Sequence, residues 1–533
     1  MILINASSKD ALKIFQPFLP IYVPVGLGFV AAVCDQKGIP VQIVDQQIED
    51  DPMGLIDEYV KGMKAPYIFG FSAFTVAMGS AVEMSLALKK KYPDSVILFG
   101  GIHPTSMPLE TMQRHDHIDV VFKGEVEALI EELYYKLKRR EPLGDMPSVL
   151  YRKENGEIQV NERGPIIDEL DAIPSFPYHR FENPKYDLGF IVSSRGCPYK
   201  CTFCSNRVTT GLSYRYRNAE VIAQELQLLH DKYKRKNVLF LDDNFLVNRK
   251  RINELIAAVK ARGLHEKMTF SFQARADNLR EDQMKDLYEA GFKSVFFGVE
   301  TASDRLMKVI QKGETVQDCV DAIKLSKKLG FHVSATYIFA LPTETHADRM
   351  LCAKQANELE VDLVRFNNAT PYPGTVLYHQ VQQEGRLNIQ GYYDNFNSVG
   401  AFIEPPWKKI PFTYIPVGES ERQIRVDILW SYWQTYINWR RIKQLLTRPD
   451  QGVGWFDAGG NLMESFKKLP ALLLLGFSLT IKFSEMFLNI AIVKMAGTQT
   501  YTERESDQIY LNPTEVDYLE QPKRAARKEK ESV

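Results

Sequence analysis

Apolar positions in the first 125 residues fall in short dense runs, at 2–5, 41–45, 67–72, 96–101 and 120–122, separated by stretches of helical length such as 26–38 and 77–91. Strands that alternate with helices predict parallel βαβ units, here a doubly wound, flavodoxin-like α/β domain over residues 1–145. Such sheets bind ligands at the carboxyl ends of their strands. That edge would carry Asp45, the stretch Ser72-Ala73-Phe74-Thr75, and Gly100-Gly101-Ile102-His103-Pro104-Thr105. Residues 146–182 are polar and punctuated by Pro147, Gly164-Pro165, Pro174 and Pro177. They read as a linker, in which Asn155-Gly156 between 149–152 and 158–160 predicts a small hairpin with a primed turn.

The alternation resumes over residues 183–410, with candidate strands at 190–193, 238–241, 268–272, 294–299, 332–339 and 363–367. Asn218 is a fitting N-cap for the first helix, whose Val221, Ile222, Leu226, Leu229 and Tyr233 approximate one face. Six such units make a partial (β/α)6 barrel with its chemistry at the carboxyl strand ends. Those ends bear Asp242, Asp243, Arg275, Glu300 and Glu344. For Asp242, Asp243 and Glu344, capping of the next helix fits as well as a direct role.

Residues 411–533 predict a mainly helical region. Trp430, Tyr432, Trp433, Tyr436 and Trp439 suit a helix packed on the barrel, and a Gly-rich break follows at 452–460. The segment 466–496 holds an uncharged run at 469–481, shorter than the about 20 residues that cross a bilayer. A buried core helix and an interfacial helix in peripheral membrane contact both fit. The tail from residue 513 is rich in Glu, Lys and Arg and reads as disordered.

Length and composition narrow the class of partner. At 533 residues the chain suits about three units. A formal net charge of -1 offers no basic excess for nucleic acid, so partners are expected to be small or apolar. Six cysteines, three of them crowded, are poor material for a disulfide framework, and Cys34, Cys319 and Cys352 suit core packing. With no basic and apolar leader at the N-terminus, a reducing cytoplasm is the expected setting.

The crowded cysteines lie in Ser194-Arg195-Gly196-Cys197-Pro198-Tyr199-Lys200-Cys201-Thr202-Phe203-Cys204-Ser205-Asn206, directly after an apolar run. Iron–sulfur clusters usually take four thiolates, and a structural zinc site needs four ligands. Here an obvious fourth is missing. The C-x3-C-x2-C spacing resembles the radical S-adenosylmethionine superfamily. The resemblance implies a 4Fe–4S cluster on Cys197, Cys201 and Cys204, with S-adenosylmethionine chelating the fourth iron. It further implies that Phe203 packs on the adenine, Glu300 holds the ribose and Arg275 grips the methionyl carboxylate.

The pattern Val44-Asp45, Gly70-Phe71-Ser72, Gly100-Gly101-x-His103-Pro104 and Lys123-Gly124-Glu125 is similar to the cobalamin-binding domain that precedes the radical domain in one subfamily. Cobalamin near Asp45, Ser72, Gly100 and Gly101 is thereby implied. Residues 1–145 lack the Asp-x-His-x-x-Gly motif that supplies a lower cobalt ligand in other cobalamin domains, and His103 reads as solvent-facing or turn-stabilising. The resemblance implies cobalamin-dependent methylation of an unactivated carbon, driven by a 5'-deoxyadenosyl radical. It equally implies oxidative ring closure, as in the anaerobic magnesium-protoporphyrin monomethyl ester cyclase. A one-electron reductant such as flavodoxin or ferredoxin would be needed. The apolar C-terminal region suggests a hydrophobic or lipid substrate. A non-catalytic redox or cobalamin-sensing protein is the alternative from another class, and it requires a fourth protein ligand.

Overall fold

The inner strands of the first sheet are buried on both faces, which is why they read as apolar runs rather than alternating patterns. The computed structural model describes residues 1–7, 20–439 and 469–496. In chain order the strands are β1 (Ile2–Asn5), β2 (Ile21–Tyr22), β3 (Gln42–Asp45), β4 (Tyr67–Ser72), β5 (Ser95–Gly100), β6 (Val120–Phe122), β7 (Val149–Arg152) and β8 (Ile158–Val160). All but β2 form one sheet, ordered β3-β1-β4-β5-β6-β7-β8, parallel as far as β6. The register sets Asn5 opposite both Asp45 and Ser72, and Ser72 opposite Gly100. Four strand ends therefore lie in one row at the carboxyl edge.

The hairpin differs from its expected place. β7 pairs antiparallel with β6, so the ribbon extends the first sheet rather than standing in a linker. Its turn is not primed, because only Gly156 has a positive φ (84°) and Asn155 does not. Gly156 N–H bonds to Lys153 O and Lys153 N–H to Glu157 O, a longer loop closed by a glycine bulge.

The second sheet contains six parallel strands. After β9 (Tyr186–Asp187), which pairs with β2, come β10 (Phe190–Ile191), β11 (Ser194–Arg195), β12 (Arg215–Tyr216), β13 (Asn237–Phe240), β14 (Thr269–Ala274), β15 (Phe292–Glu300), β16 (His332–Phe339) and β17 (Leu363–Asn368). The order β10-β13-β14-β15-β16-β17 follows the chain, giving an open (β/α)6 barrel. The helix Ala219–Asp231 starts at Asn218, whose side chain accepts the Glu220 N–H, and buries Ile222, Leu226 and Leu229. The expected aromatic helix is Glu421–Tyr436. It protects the outer edge of β17: the Tyr432 and Tyr436 hydroxyls accept the Phe366 and Val364 N–H groups at 3.1 and 2.8 Å.

The apolar C-terminal segment forms one helix, Leu469–Ala496. It turns Leu475, Ser478, Lys482 and Met486 inward and packs Phe483 and Phe487 on Trp433 at 5.0 and 5.1 Å. The reading of a buried core helix does not hold, since 22% of the window Leu473–Ala491 is buried and Leu473 and Leu488 are 66% and 61% exposed. That window is also long and apolar enough to cross a membrane, because Lys482 and Glu485 interrupt the uncharged run without raising the charge count far. The Gly-rich break at 452–460 and the tail from 513 lie outside the described residues.

Candidate functional site

The cysteine loop is held to the barrel by acid groups at the end of β13. The Asp242 carboxylate accepts the Ser193 and Ser194 N–H groups at 2.8 and 3.1 Å, their hydroxyls at 2.6 and 2.7 Å, and Arg251 Nη2 at 2.9 Å, all buried. Asp243 accepts the Gly196 N–H at 2.9 Å. Gly196 has φ +89°, and a Cβ there would stand 2.2 Å from Ser213 O, so only glycine lets the chain enter the loop this way. Thr202 N–H bonds to Ile310 O and Leu377 N–H to Thr202 O, both at 3.0 Å. Asp242 and Asp243 thus anchor the loop rather than cap a helix.

All six cysteines are unpaired. Burial raises the Cys197 and Cys201 thiols and pushes Cys204 up to about 12. Such thiols ionise readily only against a ligand that brings positive charge. Among the described residues no three His, Cys, Asp or Glu side chains converge on a point that could hold a single ion. Three thiolates on one loop that do not converge fit a cluster, in which each sulfur meets a different iron, better than mononuclear zinc.

A ring of charge from the ends of β14 and β15 and from the loop at 310–315 lies beside Cys201. Arg275 places its Cζ over the Tyr199 ring, 3.6 Å from the centroid. Its Nε and Nη2 donate to Asp277 at 3.0 and 2.8 Å, and Nη1 lies 3.7 Å from Cys201 Sγ. The fork that the resemblance gives to the methionyl carboxylate is therefore engaged by Asp277. Glu300 stands at the end of β15, where the register to β16 shifts, with a left-handed φ of 65° that a non-glycine residue holds only under constraint. Its Oε1 accepts Lys312 Nζ at 3.1 Å, and Lys312 also lies 3.6 Å from Glu314. Burial would lower the Lys312 ammonium, but Glu300 and Glu314 outweigh it and raise it. Phe203 is half-buried and packs with Leu377, Val381 and Tyr414. Glu344 is wholly buried against Arg349 and the Ala340 N–H, and burial pushes its carboxyl up to about 8.

At the edge of the first sheet, Gly101 has φ +93°, and a Cβ there would sit 2.9 Å from Ala73 N and Ser72 Oγ. A Cβ on Gly100 meets nothing within 4 Å. The edge thus has a tightly closed turn beside an open cradle, which fits a bulky ligand approaching the backbone. Asp45 does not face that cradle: it is buried, and it accepts Asn5 Nδ2 at 2.8 Å, Tyr186 OH at 2.7 Å and Gln47 N–H at 2.9 Å. His103 is not solvent-facing. It is fully buried, 4.7 Å from the Tyr393 ring and 3.4 Å from Thr75 Oγ1, with Nε2 3.9 Å from Glu110.

Sequence reasoning missed Lys312, Glu314, Asp277, Tyr199 and Arg251. They act through contacts between residues 2 to 79 positions apart, and only the acidic pair after β13 gave any local signal.

Residues 15–134 match the B12 binding domain and residues 191–356 the Radical SAM superfamily. The chain is 34% identical over 360 residues to the uncharacterized methyltransferase PH0819 of Pyrococcus horikoshii, covering 67% of this chain and 77% of that protein. It is 26% identical over 355 residues to the anaerobic magnesium-protoporphyrin IX monomethyl ester cyclase of Cereibacter sphaeroides, covering 64% and 56%. It is 25% identical to the hopanoid C-3 methylase of Methylococcus capsulatus over 373 residues, covering 67% and 68%. Among solved structures, the cobalamin-dependent S-adenosylmethionine radical enzyme OxsB with aqua-cobalamin and S-adenosylmethionine bound superposes with a TM-score of 0.65 at 16% identity, over 94% of this chain and 81% of that one. TsrM from Kitasatospora setae, with cobalamin and a [4Fe-4S] cluster, gives 0.61 at 17%, over 72% and 77%. With a flavodoxin-like domain carrying a glycine cradle, an open barrel and a three-cysteine loop, the chain belongs to the cobalamin-dependent radical S-adenosylmethionine enzymes, whose cofactors are a 4Fe–4S cluster, S-adenosylmethionine and cobalamin.

Proposed function

We propose that this enzyme methylates an unactivated carbon of an apolar small molecule, with Cys197, Cys201 and Cys204 holding the cluster. The observation that carries the reading is the three-cysteine loop, beside which no further His, Cys, Asp or Glu completes a metal-holding group among the described residues, set against a first domain whose strand ends leave Gly100 open. Bound together, the reduced cluster, S-adenosylmethionine and cobalamin supply a 5'-deoxyadenosyl radical and a transferable methyl group. The chain's own part is positional. Asp242 and Asp243 fix the loop, Arg275 donates toward Cys201, and the Glu300–Lys312 pair presents a carboxylate at the barrel mouth where ribose hydroxyls can donate to it. Phe203 offers an aromatic face for adenine, and Ser72, Gly100 and Gly101 line the cobalamin side. Methyl transfer is favoured over ring closure because the 34% identical relative is named as a methyltransferase.

The apolar substrate rests on the helix Leu469–Ala496, which exposes Leu473, Leu474, Phe477, Phe487 and Leu488. An exposed apolar patch of this kind marks a surface for a lipid or another apolar partner, and one relative is named for acting on a hopanoid. A one-electron donor of the flavodoxin or ferredoxin class completes the system.

The test is anaerobic incubation of the reconstituted, reduced protein with S-adenosylmethionine labelled in its methyl group and an apolar acceptor extract. Formation of 5'-deoxyadenosine and label in an apolar product is expected, with both lost in Cys201→Ser. No 5'-deoxyadenosine under a competent reductant would refute enzymatic radical chemistry. For the surface, Phe477→Glu with Leu488→Glu is expected to abolish flotation with anionic vesicles; undiminished flotation would remove the membrane part of the reading.

A further inference from the structure

Four charged side chains join the two cofactor-bearing halves. Glu125 and Glu127 follow β6 of the first sheet; Arg195 and Arg215 belong to the paired strands β11 and β12 that open the cysteine loop. Arg215 forks onto Glu125 with Nη1 and Nη2 at 2.7 and 2.8 Å and also reaches Ile167 O. Arg195 lies 2.7 Å from Glu127 and 3.4 Å from Glu125, and its guanidinium sits 5.0 Å from the Phe29 ring of the first domain. All four are buried or nearly so. Burial would raise the Glu125 carboxyl, but the Arg215 fork and Arg195 outweigh it and hold it below the usual range.

The contacts continue in both directions. Toward the first domain, the Gly124 N–H donates to Thr105 Oγ1 at 3.0 Å, in the short helix that follows Gly100-Gly101. Toward the barrel, Arg195 stands two residues before Cys197, and Gly196 between them is tied to Asp243. That short helix also packs beside Val208, just after the cysteine motif: a Cβ on Gly374 would meet Val208 Cγ2 at 3.0 Å and Ser106 Cβ at 3.2 Å. A continuous chain of bonds therefore runs from the glycine cradle to the first cysteine.

We infer that Glu125 and Glu127, clamped by Arg195 and Arg215, are positioning residues that fix the spacing and orientation of the cobalamin cradle relative to the cluster loop. The inference rests on the cofactor placement given under Proposed function. A fork–fork Arg–carboxylate pair constrains direction as well as distance, whereas a merely stabilising contact could be replaced without altering the cofactor geometry.

The test is magnetic. Holoenzyme is loaded with iron, sulfide and cobalamin, both cofactors are quantified per chain, and the saturation of the cob(II)alamin signal is followed with the cluster oxidised and then reduced. Relaxation enhancement by the reduced cluster falls steeply with separation. In the natural chain an enhancement is expected; Glu125→Gln with Glu127→Gln is expected to lose most of it at full loading, and Arg215→Lys to keep part. Full loading of the double variant with undiminished enhancement overturns the clamp and leaves the cofactor reading intact, while failure of the natural chain to assemble a cluster overturns the cofactor reading. Should the double variant load poorly, hydrogen exchange on its cofactor-free form decides: faster exchange in both 100–106 and 194–198 supports the clamp, and unchanged protection of 194–198 overturns it.

Discussion

The two adjacent glycines at the end of β5 should respond oppositely to the same added methyl group. Gly101 has φ +93° and ψ -170°, a region closed to side chains, and its Cβ would press on Ala73 N and Ser72 Oγ at 2.9 Å. Strain of this type costs about 1–3 kcal/mol, and backbone cannot yield as a side-chain end would. Gly101→Ala is therefore expected to lower the melting temperature and to lose cobalamin along with the local fold. Gly100 has no positive φ, and its Cβ would meet nothing within 4 Å. Gly100→Ala should leave stability unchanged or raise it by about 0.4–1 kcal/mol. If cobalamin lies against this backbone, however, the methyl intrudes on the contact. An extra methyl in a packed contact costs about 1–3 kcal/mol, equivalent to about 5- to 150-fold in Kd. The assay pairs thermal melting of the unloaded chain with absorbance of cobalamin retained after desalting. Gly100→Ala with an unchanged melt and undiminished cobalamin would refute the placement of the cofactor at the double glycine.

Two further outcomes test the charged interior. Lys312→Met removes the cation paired with the buried Glu300 and leaves Arg275, 3.8 Å away, as the cation beside Glu314; removing one partner of a buried pair costs about 3–5 kcal/mol. Denaturant titration should show the loss, and Glu300→Gln added to Lys312→Met should recover part of it; additive losses would contradict the pairing. Lys482 in the C-terminal helix donates to Ala401 O and Phe402 O, among Glu404, Arg425, Glu485 and Lys409, and burial first of all pulls it from 10.5 down to about 8. Between those values the unfolded chain holds a proton that the folded chain has released, so stability should rise with pH from about 8 to 10.5, by up to about 3 kcal/mol. Lys482→Met should flatten that rise in melts taken across the range; an unchanged slope would contradict it.

The fold was legible where burial is two-sided. Parallel strands such as Ile2–Asn5 and Tyr67–Ser72 announce themselves as apolar runs, and the capping of Ala219–Asp231 by Asn218 is a local signal. The β7–β8 hairpin was legible as a ribbon, but its pairing with β6 depends on which edge is free, a property of the assembled sheet. The cysteine loop was readable from spacing alone. Its supports were not: Asp242 binds residues 48 and 49 positions away, and Arg275 meets the Lys312 and Glu314 loop only when the segment after helix Asp304–Val309 folds back on the end of β14. Asp45 illustrates the opposite error, since a carboxylate at a strand end reads as a ligand contact while Tyr186 and Asn5 occupy it. The helix Leu469–Ala496 was marked by its hydropathy, yet which face packs is decided by Trp433 of another helix.

The central claim is that Cys197, Cys201 and Cys204 leave one iron of the cluster for S-adenosylmethionine. Electron paramagnetic resonance of the reduced, reconstituted protein, recorded before and after adding S-adenosylmethionine, tests it most directly. A shift of the cluster's g values on addition, with the signal lost in each Cys→Ser variant, is the result predicted. A spectrum unmoved by saturating S-adenosylmethionine, from a cluster that proves to have a fourth protein ligand, would contradict the account.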